Sequence, residues 1–394
     1  MERKTERIYF ENAYKVKFEA EVIESLTYEN RPAVVLDKTC FYPESGGQPA
    51  DHGTLDETEV VDVQEEQGRI IHILEGKVPS GKVRGLINWQ RRFDHMQQHS
   101  GQHILSQCFA RLYNAKTLSF HLGAEYSTLE IEKSGLTDEE WKKVEECANA
   151  ALFSDRKVAT RFVQEEDISK VPLRKPPQKK GVIRVVEVED FDYTACGGTH
   201  VRRTGEIGLI KITKWDRIRG HVRLEFLCGG RALHDYDKKN EVLRNLTKKF
   251  TVAEADVPDA VEKLTAELKT WKKENISLRK NLARCEAEDL LKQAEKGILK
   301  KVFTGKARED LRSLALNIIH EGEYVVLFGN RSGEEVHVVL ACSESLPYDM
   351  REFVSDVMEA VEGKGGGRPS LVEITGTKGD NLETVLDGLY SKLI

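Results

Sequence analysis

Two short stretches decide how this chain is read: His99-Ser-Gly-Gln-His103 and Cys196-Gly-Gly-Thr-His200. In the first, the histidines are four residues apart, so on a helix both imidazoles project from one face. In the second, Gly197 and Gly198 let the backbone fold tightly and bring Cys196 and His200 to a common point. Together they offer three imidazoles and one thiolate, the donor set that borderline-soft Zn²⁺ prefers. An isolated H-x-x-x-H more often marks two polar residues on a satisfied helix face. A Cys-Gly-Gly-Thr-His has little use as packing, and the two motifs together predict one shared zinc ion per chain, held by His99, His103, Cys196 and His200. Four protein ligands would close the site. If His200 stays off the metal, water takes its place and His200 becomes a candidate general acid or base.

Composition narrows the class. The chain has 394 residues, 39% hydrophobic and 32% charged, enough for two or three domains with cores of their own. No apolar run approaches the ~20 residues of a membrane span. The N-terminus leads into no signal-like segment, and seven cysteines without framework spacing fit a reducing compartment. A cytoplasmic protein is expected. The net charge of −6 argues against indiscriminate nucleic-acid binding, yet cations cluster. Lys170, Arg174, Lys175, Lys179 and Lys180 surround a proline-rich loop, and Lys211, Lys214, Arg217, Arg219 and Arg223 follow with Trp215 among them. Such a stripe could hold a phosphate backbone and stack a base; on charge alone a solvated surface explains it as well.

The pattern along the chain predicts an α+β protein. Residues 1–90 read as short strands at barrel-like spacing: Glu19–Glu24, Pro32–Asp37, Glu59–Gln64 and Arg69–Leu74. Residues 91–235 mix helix and strand, with a helix from Arg91 to about Tyr113 and a second opened by the capping-box pattern at Thr137. Residues 236–297 are helix formers with imperfect apolar spacing, a long connector or a helical hairpin. Residues 298–394 alternate helix and strand and contain Gly363-Lys-Gly-Gly-Gly-Arg-Pro369, read as a flexible loop suited to anion contact.

The metal motifs, with Phe41-Tyr-Pro-Glu-Ser-Gly-Gly-Gln-Pro49, resemble the editing domain of alanyl-tRNA synthetase and, more closely, the free-standing AlaX-type alanyl-tRNA editing proteins. The last hundred residues look like the DHH-associated C-terminal domain that long AlaX forms share with those synthetases. The resemblance covers nearly the whole chain and implies a small N-terminal β-barrel, a zinc-binding editing core, a helical connector and a C-terminal α/β domain that assists tRNA binding. It places the zinc ligands on His99, His103, Cys196 and His200. It associates Thr39 and Gln48 with recognition of the substrate hydroxyl, and it makes Lys364 and Arg368 candidate RNA contacts beside Lys214 and Arg217. The chain begins directly with the barrel, with no aminoacylation core before it, so it is expected to edit and not to charge tRNA.

Editing answers a problem of size. A pocket built for alanine rejects serine poorly, because one added hydroxyl costs little discrimination in a small apolar site. A second site that hydrogen-bonds that hydroxyl can reject alanine strongly, since alanine would leave buried polar groups unpaired. The expected activity is zinc-dependent hydrolysis of Ser-tRNA(Ala), with Gly-tRNA(Ala) as a candidate second substrate, tRNA(Ala) as partner and a homodimer as the assembly. Two alternatives compete: a non-catalytic, zinc-stabilised tRNA-binding module, and editing of another aminoacyl-tRNA. A phosphoesterase is disfavoured because Asp94-His95-Met96 breaks the Asp-His-His motif such a tail domain would accompany. His95 shares the helix face of His99 and is read as a supporting or structural residue.

Overall fold

The computed structural model describes residues 4–177 and 180–394. It is a mixed α+β protein that divides into two compact units, residues 1–245 and 246–394. In chain order the first unit opens with β1 (Glu6–Arg7), α1 (Ile8–Glu11), β2 (Lys17–Tyr28), β3 (Arg31–Leu36), β4 (Lys38–Thr39), β5 (Gly53–Leu55), β6 (Thr58–Glu66), β7 (Arg69–Glu75) and β8 (Lys82–Ile87). Six of these strands close into a barrel in the order β2-β3-β7-β6-β5-β8. Alternation fills the interior with Val34, Leu36, Val60, Val63, Ile70, Leu74 and Val83. Ala33, Val35, Ile71 and Ile73, on the opposite parity, form a second small cluster. The apolar runs of β3 and β7 are therefore buried on both faces, which is why they lack the polar alternation of a half-exposed strand.

After the barrel come α2 (Trp89–Tyr113), β9 (Thr117–Leu122), β10 (Ser127–Ile131), α3 (Asp138–Phe153), β11 (Val158–Val163), β12 (Ile183–Val188), β13 (Asp192–Ala195), β14 (Ile210–Ile218), β15 (His221–Cys228) and α4 (Gly229–Phe250). Strands β14-β15-β10-β9 form one antiparallel sheet and β11-β12-β13 another. The main core lies between α2, α3 and these strands, with Met96, Leu105, Phe109, Val144, Leu129, Leu224 and Phe226 fully buried. Helix α2 starts at Asn88, whose side chain accepts from the Arg91 amide, and ends at Asn114 in the left-handed region (φ 51°). Helix α3 carries the reciprocal Thr137–Glu140 capping box that its sequence predicts.

One buried ion pair joins barrel and core. The Arg92 guanidinium, on α2, donates from Nε to the Asp51 carboxylate at 2.9 and 3.0 Å, and both side chains are fully buried. It also donates to the carbonyls of Ala13 (2.7 Å) and Cys40 (2.6 Å). Asp51 in turn accepts from the Tyr42 amide at 2.6 Å, so the loop between β4 and β5 is folded around this charge.

The second unit contains α5 (Val257–Leu291), β16 (Ile298–Thr304), α6 (Arg308–His320), β17 (Val325–Ser332), β18 (Glu335–Cys342), α7 (Val354–Ala360), β19 (Lys364–Arg368), β20 (Leu371–Gly376) and α8 (Leu382–Leu393). Its sheet runs β16-β17-β18-β20-β19, with one parallel pair, β16 and β17. Successive residues of β17 feed opposite cores: Val325 and Leu327 pack with Leu386 and Leu389 of α8, Val326 and Phe328 with Leu314 and Ile318 of α6. The glycine-rich segment expected as a flexible loop is instead an edge strand, β19, paired antiparallel to β20 from Lys364↔Thr375 to Arg368↔Leu371. The main chain of β20 lies where side chains of Gly365 and Gly367 would be, so the glycines serve strand pairing here. The helix-forming stretch before the sheet is two helices, α4 and α5, interrupted at Thr251 (φ 57°) and resumed with Pro258 in the first turn of α5.

Removing one partner of a fully buried pair strands the other charge. Asp51→Ala is expected to destabilise the first unit by about 3–5 kcal/mol, read as a lowered urea midpoint; a change below ~1 kcal/mol would show that the pair is not structurally required.

Candidate metal centre

Helix α2 supplies His99 and His103, whose rings stack with centroids 5.2 Å apart and planes 16° from parallel. Gly101 lies between them on the face packed against β15, where a Cβ would overlap the Cys228 sulfur. The helix can therefore lie close to the sheet, fixed further by Gln98, which donates to the Cys228 carbonyl (3.0 Å) and accepts from its amide (2.9 Å). Cys196 follows β13 directly. Its loop is held by Arg184, which donates to the carbonyls of Cys196 and Gly198, both at 2.9 Å. Neither Gly197 nor Gly198 has a positive φ, so a special backbone conformation is not what they provide. Gly198 provides proximity instead: a Cβ there would overlap the His99 ring.

His99, His103, Cys196 and His200 come together with one ligand atom each, all within 4.8 Å of one another. The three histidines are buried, and Cys196 is partly open to solvent. Cys196 Sγ lies 3.4 Å from His99 Nε2 and 3.3 Å from His200 Nε2. Every Nδ1 has another partner. That of His99 donates to the Gln48 amide oxygen at 2.7 Å, that of His200 meets Ser100 Oγ at 3.2 Å, and that of His103 faces the Asp192 carboxylate at 3.6 Å. The Nε2 of His103 is buried without a hydrogen-bond partner. Such an orphaned lone pair beside a thiolate is what an absent cation explains, and Nδ1 partners of this kind fix tautomer and ring orientation around metals.

The electrostatics agree. Burial raises the Cys196 thiol, but the neighbouring His99, His200 and His103 imidazoles outweigh it and hold the thiol well below its ordinary value. Burial pushes His200 down to about 3, so it is neutral near pH 7. Burial opposes charge on Asp192 too, yet the His103 hydrogen bond and the Arg174 guanidinium bring its carboxyl down to about 2. The result is one thiolate, imidazole lone pairs and an ionised carboxylate behind them, a set suited to a divalent cation.

Other residues singled out in the sequence are distributed as follows. Gln48, fully buried, joins the cluster as a support: its oxygen accepts from His99 and from the Thr199 amide (3.1 Å), and its nitrogen donates to the Thr199 hydroxyl (2.8 Å). Thr39 is also buried, but its hydroxyl engages His72 Nε2 (2.8 Å) and the Phe41 amide (3.0 Å), with no bond to a cluster member. His95 is buried with an unpaired Nδ1, and burial lowers it to about 4. Lys214 is neutralised by Asp216 (2.6 Å) and Glu225 (3.9 Å). Arg217 is exposed on the same strand, while Trp215 packs against the core. Arg174 turns inward to Asp192 at 2.9 Å, and Lys170 pairs with Asp167; Lys179 lies outside the described residues. Lys364 and Arg368 are exposed on β19 of the second unit. Asp192, Ser100 and Thr199 escaped the sequence reading, and Arg174 was read only as part of a basic surface. Ser100 and Thr199 sit inside the two motifs and were available there; Asp192 carries no local signal, and neither does the inward pairing of Arg174 with it.

Comparison with known proteins adds a family. Residues 183–224 match the model described as "Threonyl and Alanyl tRNA synthetase second additional domain", and residues 2–91 match "tRNA synthetases class II (A)". An alanyl-tRNA editing protein, AlaX-L of Pyrococcus horikoshii, is 32% identical over 391 residues, covering 93% of each chain. An alanyl-tRNA editing protein of Xenopus laevis, Aarsd1-A, is 30% identical over 340 residues, covering 85% of this chain and 82% of its own. The alanine–tRNA ligase of Pyrococcus furiosus is 32% identical over 94% of this chain, which spans 42% of that enzyme. The crystal structure of the C-Ala domain from Aquifex aeolicus alanyl-tRNA synthetase is 25% identical, covers 24% of this chain and 87% of its own, and has a TM-score of 0.23.

If Asp192 orients His103 for a cation, Asp192→Asn should weaken Co²⁺ binding by ~10–100-fold. The thiolate–cobalt absorption band reads this directly, with the circular dichroism unchanged. Unaltered affinity would detach Asp192 from the centre.

Proposed function

This chain belongs to the family of alanyl-tRNA editing proteins, and from that premise we propose that it is a zinc-dependent hydrolase that removes serine from mischarged tRNA(Ala) in the cytoplasm, with glycine as a second candidate substrate. The observation that carries the reading is the convergence of three imidazole Nε2 atoms on one thiolate, each ring held from behind at Nδ1. Donors at ~2.0–2.3 Å from a tetrahedral zinc lie about 3.3–3.6 Å apart, and the Cys196–His99 and Cys196–His200 spacings are 3.4 and 3.3 Å. His200 has partners at both nitrogens, which supports its assignment as the fourth ligand over a part in proton transfer. When bound, the ion would supply Lewis acidity to the ester carbonyl or the substrate amine by taking it as an additional ligand.

The chain's own residues supply selectivity. Gln48 donates one Nε2 hydrogen to Thr199 and retains a second. Thr39 donates to neutral His72, whose Nδ1 faces the Val34 carbonyl, and its oxygen retains one lone pair after the Phe41 amide. We assign that remaining donor and acceptor to the serine hydroxyl. Alanine would leave both unpaired in a buried site, which costs far more than the missing van der Waals contact. Both groups are inaccessible to bulk water, and an amide in such a place discriminates more strongly than one that water can satisfy.

For the RNA we assign Lys364 and Arg368, with Lys214 and Arg217 as weaker contacts. Lys364 and Arg368 stand on an edge strand whose intervening glycines offer no side chain against a phosphate. In the homodimer we propose, α5 provides the seam. Val261, Leu264, Leu268, Trp271, Leu278 and Leu282 alternate at three- and four-residue spacing, all exposed, with Asn275 in register. That is a heptad with one polar seam position, a device that sets register in two-stranded coiled coils. Sedimentation equilibrium should return twice the chain mass, and Leu268→Lys should return the single mass; a monomer in both cases would overturn the assembly.

The activity itself is tested by deacylation of Ser-tRNA(Ala) against Ala-tRNA(Ala). The wild type should clear serine and spare alanine, with loss of the catalysed rate in His103→Ala and after chelation. The Lys364→Ala/Arg368→Ala variant should raise KM several-fold with kcat retained. Tight tRNA binding without hydrolysis would make this a zinc-stabilised binding module instead.

A further inference from the structure

Away from the metal cluster, two thiols meet inside the first unit. Cys147 of α3 places its Sγ 2.7 Å from Cys108 Sγ of α2, in hydrogen-bonding contact. Cys108 is buried and Cys147 is half-buried, both as free thiols. The surrounding contacts between these helices are apolar, made by Leu105, Phe109, Val144 and Ala148, so a pair of small aliphatic side chains would fill the same space. No such partner faces the other buried cysteines outside the metal site. No other pair of cysteines among the described residues is in hydrogen-bonding contact, and burial raises the thiols of Cys40, Cys228 and Cys342.

We propose that Cys108 and Cys147 form a reversible disulfide, driven by peroxide, that fastens the helix carrying His99 and His103 to α3. Bonded sulfurs lie about 2.05 Å apart, so the pair must close by less than an ångström from its observed separation. Cys147 is the attacking sulfur, because it alone of the two reaches the surface. Its thiol is brought down to about 7 by its hydrogen bond with Cys108, against the opposing effect of burial and with help from the Arg111 guanidinium. The Cys147 thiolate attacks one peroxide oxygen; the O–O bond breaks, water leaves after protonation, and Cys147 becomes a sulfenic acid. Cys108 then gives up its proton and attacks that sulfur, expelling a second water as the S–S bond forms. Two thiols lose two electrons and two protons, and the peroxide is reduced to two waters. A thiol reductant reverses the step.

The consequence for the fold is local. Cys108 lies five positions beyond His103 on α2, while α3 is tied to β14 through Asn149 and Glu145, which bond the main chain of Ile210 and Ile212. The bridge therefore couples the metal-bearing helix covalently to the sheet layer behind it.

The test treats the full-length, metal-loaded protein with hydrogen peroxide, alkylates the remaining thiols and maps peptides by mass spectrometry. The expected product joins the Cys108 and Cys147 peptides with loss of two hydrogen atoms, is cleaved by dithiothreitol, and raises the thermal midpoint by roughly 5 °C. Cys147→Ser should show neither the link nor the shift, and Cys108→Ala is the companion variant should the first fold poorly. Sulfenic or sulfinic acid on Cys147 with Cys108 still alkylated as a free thiol would overturn the proposal. So would two thiols that peroxide leaves untouched.

Discussion

The salt bridge of Arg92 and Asp51 stands between two parts of the first unit that sequence alone would leave independent. Each residue belongs to a different element, one to the helix that bears the histidines and one to the loop that bears Gln48. In the barrel-to-core boundary both are removed from water, so neither can be satisfied elsewhere without a large desolvation penalty. The pair sets the position of the loop relative to α2. The Gly47 carbonyl accepts from the Leu122 amide of β9 at 3.0 Å, which fixes the tip as well. Only with both ends pinned does the Gln48 amide arrive within 2.7 Å of His99. The barrel is thereby a working part of the centre, because it supplies the group that chooses the His99 tautomer.

The centre itself is a problem of burial. Three imidazoles and a thiol in a low-dielectric pocket would ordinarily all be driven neutral. Burial does so for His200, whereas the thiol is held charged by its neighbours. A lone, largely enclosed thiolate is costly, and a cation shared among the four donors would remove that cost. Asp192 adds a second negative charge behind His103, itself stabilised by Arg174 at 2.9 Å. Charge thus alternates outward from the thiolate: cation site, imidazole, carboxylate, guanidinium. Arg174 belongs to a proline-rich basic loop whose charge pattern suggested a surface for RNA, yet its side chain completes this inner series.

The parts of the fold that could be read in advance are those where one short-range rule fixes the outcome. Helical spacing gave the stacked His99 and His103, and the Thr137–Glu140 box marked the start of α3 to the residue. Strands with strong β-branched runs, such as Arg69–Leu74, lie where the pattern puts them. What remained hidden depends on long-range pairing. Short strands such as β5 and β13 have no pattern of their own and exist through their partners. Asp192 is an ordinary acid in the sequence and becomes a support for His103 only after β13 is placed against α2. The Lys364–Arg368 segment misled for the opposite reason. Three successive glycines read as freedom, but an edge strand whose neighbour crowds the side-chain positions requires them.

The same contrast bears on how a hydroxyl is recognised. Thr39 and Gln48 are types that usually face solvent or a turn, and here neither does. Thr39 is oriented by His72, which is neutral because burial lowers it to about 4 and which is itself directed by the Val34 carbonyl. A neutral His72 with Nδ1–H donating must present Nε2 as an acceptor, so the Thr39 hydroxyl proton is committed to it and the oxygen is left as an acceptor only. Gln48 is constrained in the complementary sense. Its oxygen has two donors, so only a nitrogen hydrogen remains. On the assignment proposed above, one buried acceptor and one buried donor would match the two capacities of an alcohol, which both gives and accepts a hydrogen bond. A methyl group offers neither, and the two residues would be left unpaired together. On that assignment, selectivity between side chains that differ by a single oxygen would follow from the direction in which two ordinary polar groups are held.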